Sequence, residues 1–119
     1  MPLISVVDDD DSIRESLRGL LESLGFAVET FPSAQTFLDS RWLTLTDCLI
    51  LDVRMPGMRG PDLQRELYRR GNEIPTVFIT AHGDEEIRPR VLSEGAVDCL
   101  LKPFTEAALL GAIRKALAA

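Results

Sequence analysis

Several apolar runs in the sequence end in a polar side chain that could take part in chemistry. Carboxylates follow two of these runs at Asp8, Asp9 and Asp52, a hydroxyl ends another at Thr80, and an ammonium follows the last at Lys102. Crowded carboxylates raise each other's pKa unless a cation lies between them, and Mg²⁺ prefers such oxygen ligands. A carboxylate nucleophile, a metal and a cation for a phosphoryl oxygen together predict the transfer of a phosphoryl group to an aspartate.

These side chains can meet only if the runs that carry them are neighbouring parallel strands. Apolar runs predict strands at residues 3–7, 26–30, 48–51, 76–79 and 97–101, and each is followed by a segment of helical periodicity. This strict alternation indicates an α/β protein with a parallel sheet and helices on both faces. We expect a doubly wound, flavodoxin-like sheet of order 2-1-3-4-5 with five helices, in which ligands bind beyond the carboxyl ends of the strands.

Residues that begin and end helices mark the segments between the predicted strands. Ser12 and Glu15 have the spacing of a capping box for the first helix, and Gly25 is suited to end that helix. We also expect Asp10 and Asp11 to serve the cap of this helix rather than a metal. Pro89 lies where the fourth helix should begin, and proline is tolerated only in the first turn of a helix. We therefore expect the fourth helix to begin late, near Pro89, or to be irregular before it.

Length, charge and cysteine content restrict the class of protein. The chain has 119 residues, a net charge of −6 and a hydrophobic fraction of 45%, which is typical of one globular domain. The acidic balance argues against direct nucleic-acid binding, and no apolar run approaches the ~20 residues of a membrane span. Cys48 and Cys99 fit no zinc pattern, and we expect both to stay reduced. These features predict a cytoplasmic protein with one domain over residues 1–119.

Four stretches of the sequence resemble the motifs of bacterial response-regulator receiver domains. They are Val6-Val7-Asp8-Asp9-Asp10, Leu51-Asp52-Val53-Arg54-Met55-Pro56-Gly57, Phe78-Ile79-Thr80-Ala81 and Leu101-Lys102-Pro103-Phe104. The stretch 52–58 together with 81–84 is most similar to the nitrogen-fixation (FixJ) type of receiver. The resemblance covers essentially the whole chain, and four motifs in register at strand ends are highly specific.

The resemblance implies how this chain would handle a phosphoryl group. Asp52 would accept it from a phosphohistidine of a sensor histidine kinase, and Thr80 and Lys102 would bind its oxygens. Ala81 would be small to keep the phosphoryl group accessible, and the peptide bond between Lys102 and Pro103 would be cis. Such a domain is a phosphoacceptor switch with slow autodephosphorylation, rather than an enzyme with a diffusing product.

The resemblance also implies a metal site and two tuning side chains. Mg²⁺, or Mn²⁺ in its place, would be ligated directly by Asp9 and Asp52, by the backbone carbonyl of Arg54, and by Asp8 through water. The side chains of Arg54 and His82 would tune hydrolysis of the aspartyl phosphate.

Two positions depart from the usual pattern of such receivers. Cys99 lies three residues before the lysine, where receivers usually carry an aromatic ring that moves as the threonine moves. Any conformational change that passes the signal on must then use backbone movement of the Thr80 loop or a different side chain. Pro89 falls in the usual output face, which is formed by the fourth helix, the fifth strand and the fifth helix. That face would support a homodimer, and a helix-turn-helix output domain would lie outside this chain, which is either a stand-alone regulator or an excised receiver.

Three other functions are compatible with parts of the sequence. A receiver-like module that binds partners without phosphorylation is opposed by the intact acidic pocket, although Cys99 and Pro89 keep it open. A phosphatase of the haloacid-dehalogenase type is disfavoured, because such enzymes usually carry a second aspartate where this chain has Arg54. A flavodoxin-like cofactor binder is disfavoured, because the anionic phosphate of its cofactor would lie against the acidic run 8–11.

Overall fold

Five parallel strands form the centre of the protein, as seen in a computed structural model that describes residues 1–81 and 83–118. They are β1 (Leu3–Val7), β2 (Ala27–Phe31), β3 (Cys48–Asp52), β4 (Thr76–Thr80) and β5 (Asp98–Leu101). Their order is β2-β1-β3-β4-β5, and every neighbouring pair is parallel. The predicted doubly wound sheet is therefore confirmed. His82, a predicted tuning residue, lies outside the described residues.

Helices cover both faces of this sheet. They are α1 (Asp11–Ser23), α2 (Ala34–Leu38), α3 (Gly60–Arg69), α4 (Ile87–Ser93) and α5 (Glu106–Ala118), with a short 3₁₀ turn at Arg41–Thr44. Side chains of α1 and α5 pack on one face, and side chains of α2, α3 and α4 pack on the other. Because β3 and β4 are buried along their whole length, their sequences are mostly apolar. Residues 48–51 of β3 and 77–79 of β4 are apolar, and each strand ends in a polar residue.

The start of α1 differs in part from the prediction. Asp10 has an extended backbone, and its side chain accepts hydrogen bonds from the backbone N–H groups of Ser12 at 2.8 Å and Ile13 at 3.2 Å. The predicted capping box of Ser12 and Glu15 was therefore wrong, because Ser12 already lies inside the helix. An aspartate is an equally good cap and also complements the positive end of the helix dipole. Gly25 follows the helix with a φ of 93°, which confirms its predicted role at the helix end.

The predicted late start of α4 is confirmed. The helix begins at Ile87, two residues before Pro89. The N–H groups of Ile87 and Arg88 each donate to a carbonyl three residues earlier, at 3.1 Å, so the entry to the helix is a tight turn. Pro89 is the third residue of the helix, where a backbone N–H has no partner within the helix, and its ring is accommodated there.

Both cysteines lie in the described part of the chain and are free thiols. Cys48 packs on the α1 and α5 face of the sheet, whereas Cys99 packs on the opposite face. Burial raises the pKa of Cys48 to about 12 and also raises the pKa of Cys99. Among the helices that the structure describes, none is both long enough and apolar enough to cross a membrane.

Candidate functional site

The polar residues at the strand ends meet at one edge of the sheet. Asp8 and Asp9 follow β1, Asp52 and Thr80 end β3 and β4, and Lys102 follows β5. Carboxylate oxygens of the three aspartates all lie within 4.8 Å of one another. The Nζ atom of Lys102 lies 3.5 Å from Asp8 Oδ2 and 3.6 Å from Asp52 Oδ1. The arrangement therefore concentrates negative charge around a single ammonium group.

Burial makes this concentration of charge unfavourable. Asp8 is fully buried and Asp52 is 6% exposed, whereas Asp9 faces solvent. Burial, together with the negative charge of Asp8, raises the pKa of Asp52 to about 6, and the ammonium of Lys102 opposes this rise. Burial also raises the pKa of Asp8, against a backbone hydrogen bond from Asp10 and the charge of Lys102. Such a cluster favours a divalent cation, which would offset the repulsion.

The loop after β1 fixes the orientation of Asp8. The backbone N–H of Asp10 donates to Asp8 Oδ1 at 2.9 Å, and Arg14 donates from Nη1 to the Asp8 carbonyl at 2.6 Å. Arg14 also forms a close ion pair with Asp11. Sequence reasoning missed Arg14, although its position in the first turn of a helix that follows an acidic run was a usable signal.

Thr80 presents a hydroxyl group without a partner. The residue is 2% exposed, and its Oγ1 atom has no hydrogen-bond partner among the described residues. A buried hydroxyl that makes no hydrogen bond is unfavourable by about 1–3 kcal/mol, so this atom is suited to bind an incoming oxygen. Ala81, which follows it, is exposed. On the other side of the pocket, the peptide bond between Lys102 and Pro103 is cis.

A bidentate ion pair joins two loops beside the pocket. Arg54 donates from Nε and Nη2 to the two carboxylate oxygens of Asp84, both at 2.7 Å. The side chain of Arg54 is 68% exposed, whereas that of Asp84 is only 14% exposed. The contact raises the pKa of Arg54 and lowers the pKa of Asp84. Sequence reasoning did not identify Asp84 as a site residue, because it is thirty residues from Arg54 and no local spacing joins the two.

The approach of α3 to β3 leaves no room for a side chain at Gly60. A Cβ atom there would lie 2.3 Å from the carbonyl oxygen of Asp52 and 3.0 Å from the ring of Phe78. The backbone N–H of Gly60 donates to the carbonyl of Val53 at 3.1 Å. This glycine therefore lets the helix support the backbone of the site, a role that sequence reasoning also missed.

Cys99 and Pro89 lie outside this group of charged residues. Cys99 is buried in β5 within the core cluster that also includes Val91 of α4. Pro89 is exposed on α4. Arg88 links the two elements, since its Nε donates to the carbonyl of Cys99 at 3.2 Å.

Comparisons with known proteins agree with this geometry. Residues 4–114 match the sequence model of a family described as the response regulator receiver domain. Response regulator protein TodT of Pseudomonas putida is 48% identical over 115 residues, which cover 97% of this chain and 51% of that protein. Transcriptional regulatory protein FixJ of Azorhizobium caulinodans is 44% identical over 114 residues, which cover 96% of this chain and 54% of that protein. The chain thus spans about half the length of these curated relatives.

Solved structures share the fold over the whole sheet. Response regulator StyR superposes with a TM-score of 0.90 at 52% identity, over 98% of this chain and 59% of that chain. A structure described as FixJ-N superposes with a TM-score of 0.90 at 35% identity, over 99% of this chain and 94% of that chain. The likeness therefore extends across the strand ends that carry the site.

Proposed function

The chain belongs to the response-regulator receiver domain family of two-component signal transduction, and from this premise we propose that Asp52 is its phosphoacceptor. The observation that supports this most directly is the convergence of the Asp8, Asp9 and Asp52 carboxylates beside the Lys102 ammonium and the unpartnered Thr80 hydroxyl. The donor in this proposal is a phosphohistidine on a sensor histidine kinase.

The proposed reaction uses a carboxylate oxygen of Asp52 as the nucleophile. This oxygen attacks the phosphorus atom, and the new O–P bond forms as the N–P bond to the histidine breaks. The electron pair of the broken bond goes to the imidazole nitrogen, which leaves and takes up a proton. A pKa of about 6 for Asp52 leaves its carboxyl group mainly ionised at neutral pH, so that it can act as a nucleophile.

The carboxylates fit the divalent cation that the family uses. In the part of the chain that the structure describes, three clustered carboxylates face one ammonium, which leaves a net negative charge. In our proposal Asp9 and Asp52 ligate Mg²⁺ or Mn²⁺ directly, together with the backbone carbonyl of Arg54, and Asp8 acts through water. The bound metal would supply positive charge that offsets the carboxylates and the phosphoryl oxygens.

Thr80 and Lys102 are proposed to hold the phosphoryl oxygens after transfer. The Thr80 hydroxyl can donate one hydrogen bond to such an oxygen, and the Lys102 ammonium can offset its charge. Ala81 keeps the phosphoryl group open to water, and the side chains of Arg54 and His82 tune its hydrolysis. The domain then acts as a phosphoacceptor switch with slow autodephosphorylation and releases no product other than phosphate.

The proposed partners follow from the same premise. The domain receives its phosphoryl group from a sensor kinase in the cytoplasm and responds through the face formed by α4, β5 and α5, where Pro89 and Cys99 lie. This face is our proposed homodimer contact, and a helix-turn-helix output domain outside this chain is the proposed effector. Family membership and the complete pocket do not favour a module that works without phosphorylation.

Transfer from phosphoramidate, which carries an N–P bond like that of phosphohistidine, tests the proposal. We expect the wild type to gain one acid-stable but base-labile phosphoryl group only when Mg²⁺ is present. Asp9→Asn should slow this gain at least tenfold, because it removes a metal ligand. Asp39→Asn, at an exposed aspartate just after α2, is the matched control and should behave as the wild type. Equal rates with EDTA and with Mg²⁺ would contradict the proposed metal site.

A further inference from the structure

Both apolar packing and charged contacts hold helix α4 in place. Of its seven residues, all within the described part of the chain, Val91 is buried, and Ile87 and Leu92 are partly buried against the same core cluster. Arg88, in the first turn, donates from Nε to the Cys99 carbonyl at 3.2 Å and from Nη2 to Asp98 at 3.3 Å. At the far end, Glu94 follows the helix and pairs with Arg65 of α3 at 2.8 Å. In the first turn only Ile87 packs on the core, and it is partly buried. The start of the helix can therefore move with a small loss of buried apolar surface.

Asp84 connects the start of this helix to the pocket. Its backbone N–H donates to the carbonyl of Ala81, which follows Thr80, and its own carbonyl accepts from the N–H of Ile87, both at 3.1 Å. Its two carboxylate oxygens accept hydrogen bonds from Nε and Nη2 of Arg54, both at 2.7 Å. Movement of the Asp84 carboxylate would therefore be transmitted to the first residue of α4.

Arg54 has two negatively charged groups that can compete for it. It lies two residues after Asp52, and a phosphoryl group on that acceptor carries a charge of about −1.5 to −2. This charge replaces the single negative charge of the free carboxylate. Guanidinium groups bind phosphoryl oxygens and carboxylates with the same bidentate geometry. The side chain of Arg54 is 68% exposed, so it has solvent space in which to turn from one anion to the other.

We propose that the Arg54–Asp84 ion pair is an autoinhibitory latch, which holds the start of α4 until a phosphoryl group on Asp52 draws Arg54 away. The inference rests on the proposed function, since the competing anion is the phosphoryl group. Asp84 is then a positioning residue that acts through Arg54. Loss of its charge releases the start of α4 without any phosphorylation.

Hydrogen exchange of the backbone amides at 84–88, followed by mass spectrometry, tests the latch. The wild type is measured before and after incubation with acetyl phosphate and Mg²⁺, and intact mass gives the fraction phosphorylated in the same samples. We expect phosphorylation to speed exchange in this segment several-fold. Unphosphorylated Asp84→Asn, corrected for the intrinsic rates of asparagine, should already exchange as fast as the phosphorylated wild type.

Two further variants separate a latch from general loosening. Arg54→Ala should exchange like Asp84→Asn, and the double variant should exchange no faster than either single variant, because both remove the same pair. Glu94→Gln is the matched control: it weakens the ion pair with Arg65 at the other end of α4. It should leave exchange at 84–88 as in the wild type and retain the response to phosphorylation.

The outcomes distinguish the latch from the proposed function. If the wild type is phosphorylated but exchange at 84–88 does not change, the latch is wrong and the proposed function stands. The latch is also wrong, and the proposed function again stands, if Asp84→Asn exchanges like the unphosphorylated wild type. If no phosphoryl group is gained, the proposed function fails and the latch fails with it.

Discussion

The acidic pocket and helix α4 are neighbours, yet different forces hold them in place. Asp8 and Asp52 are buried charges at the ends of strands that are themselves fully or largely buried. Helix α4 buries one of its described residues and is linked to its surroundings by ion pairs near the surface. Buried charges retain unfavourable energy until a ligand offsets it, whereas surface pairs exchange partners at little cost. The comparison supports our proposals that the pocket binds a metal ion and a phosphoryl group and that helix α4 changes position in response.

In the buried pocket, a methyl group at Gly60 should cause the largest loss of stability. Its Cβ would lie 2.3 Å from the carbonyl oxygen of Asp52, so the backbone of the acceptor would have to move. We expect Gly60→Ala to lower the free energy of unfolding by about 3 kcal/mol and to slow phosphorylation. Urea denaturation measures the first effect and intact mass measures the second.

Gly111 provides the matched control for this substitution. It lies within α5, and a Cβ there would meet no described atom within 4 Å. Gly111→Ala should therefore raise the free energy of unfolding by roughly 0.5–1 kcal/mol, because alanine is the better helix former. If Gly60→Ala were as stable as Gly111→Ala, the close support of the acceptor by α3 would be wrong.

Removal of the Asp52 charge should stabilise the metal-free protein. The pKa of Asp52 is about 6 in the folded protein, above its ordinary value of 3.8. The folded state therefore holds the proton more tightly, and ionisation lowers the free energy of unfolding as the pH rises from about 4 to above 6. In EDTA at pH 8, Asp52→Asn should be more stable than the wild type by about 3 kcal/mol.

The pH dependence identifies the cause of this stabilisation. The difference between Asp52→Asn and the wild type should vanish below about pH 4, where the carboxyl group is protonated in both folded and unfolded chains. Mg²⁺ should stabilise the wild type more than the variant and so reduce the difference at pH 8. A variant that is less stable than the wild type in EDTA at pH 8 would show that the buried charge is not unfavourable.

Pro89, in helix α4, should contribute least to stability. As the third residue of α4 it needs no N–H partner, and the better helix propensity of alanine opposes the greater freedom of the unfolded chain. Pro89→Ala should change the free energy of unfolding by less than about 0.5 kcal/mol. Val91→Ala, which truncates the buried residue of the same helix, should cost about 1–2 kcal/mol in urea denaturation. Equal losses in the two variants would contradict this assignment.

The sequence predicted those parts of the molecule that depend on local patterns. Asp52 and Lys102 were identified because each stands at the end of an apolar run, and the alternation of strands and helices then brings these ends together. A capping box for α1 was placed at Ser12 and Glu15 beside the expected cap residues Asp10 and Asp11, and spacing alone does not choose among these good caps. The structure selects Asp10. Strand bounds were off by one residue where β2 and β5 begin and where β2, β3 and β4 end.

The parts that were missed depend on contacts between distant loops. The pairing of Arg54 with Asp84 requires both loops to take particular conformations across thirty residues of sequence. The requirement for glycine at position 60 arises from the distance between α3 and the carbonyl of Asp52. Neither distance leaves a periodic or compositional signal in a single sequence.

Intact mass after incubation with acetyl phosphate and Mg²⁺, on the wild type and Asp52→Asn, tests the central claim most directly. We expect one phosphoryl group on the wild type, none without Mg²⁺ and none on Asp52→Asn. A wild type that gains no phosphoryl group, or an Asp52→Asn variant that gains it equally well, would contradict the assignment of this pocket as the site of phosphorylation.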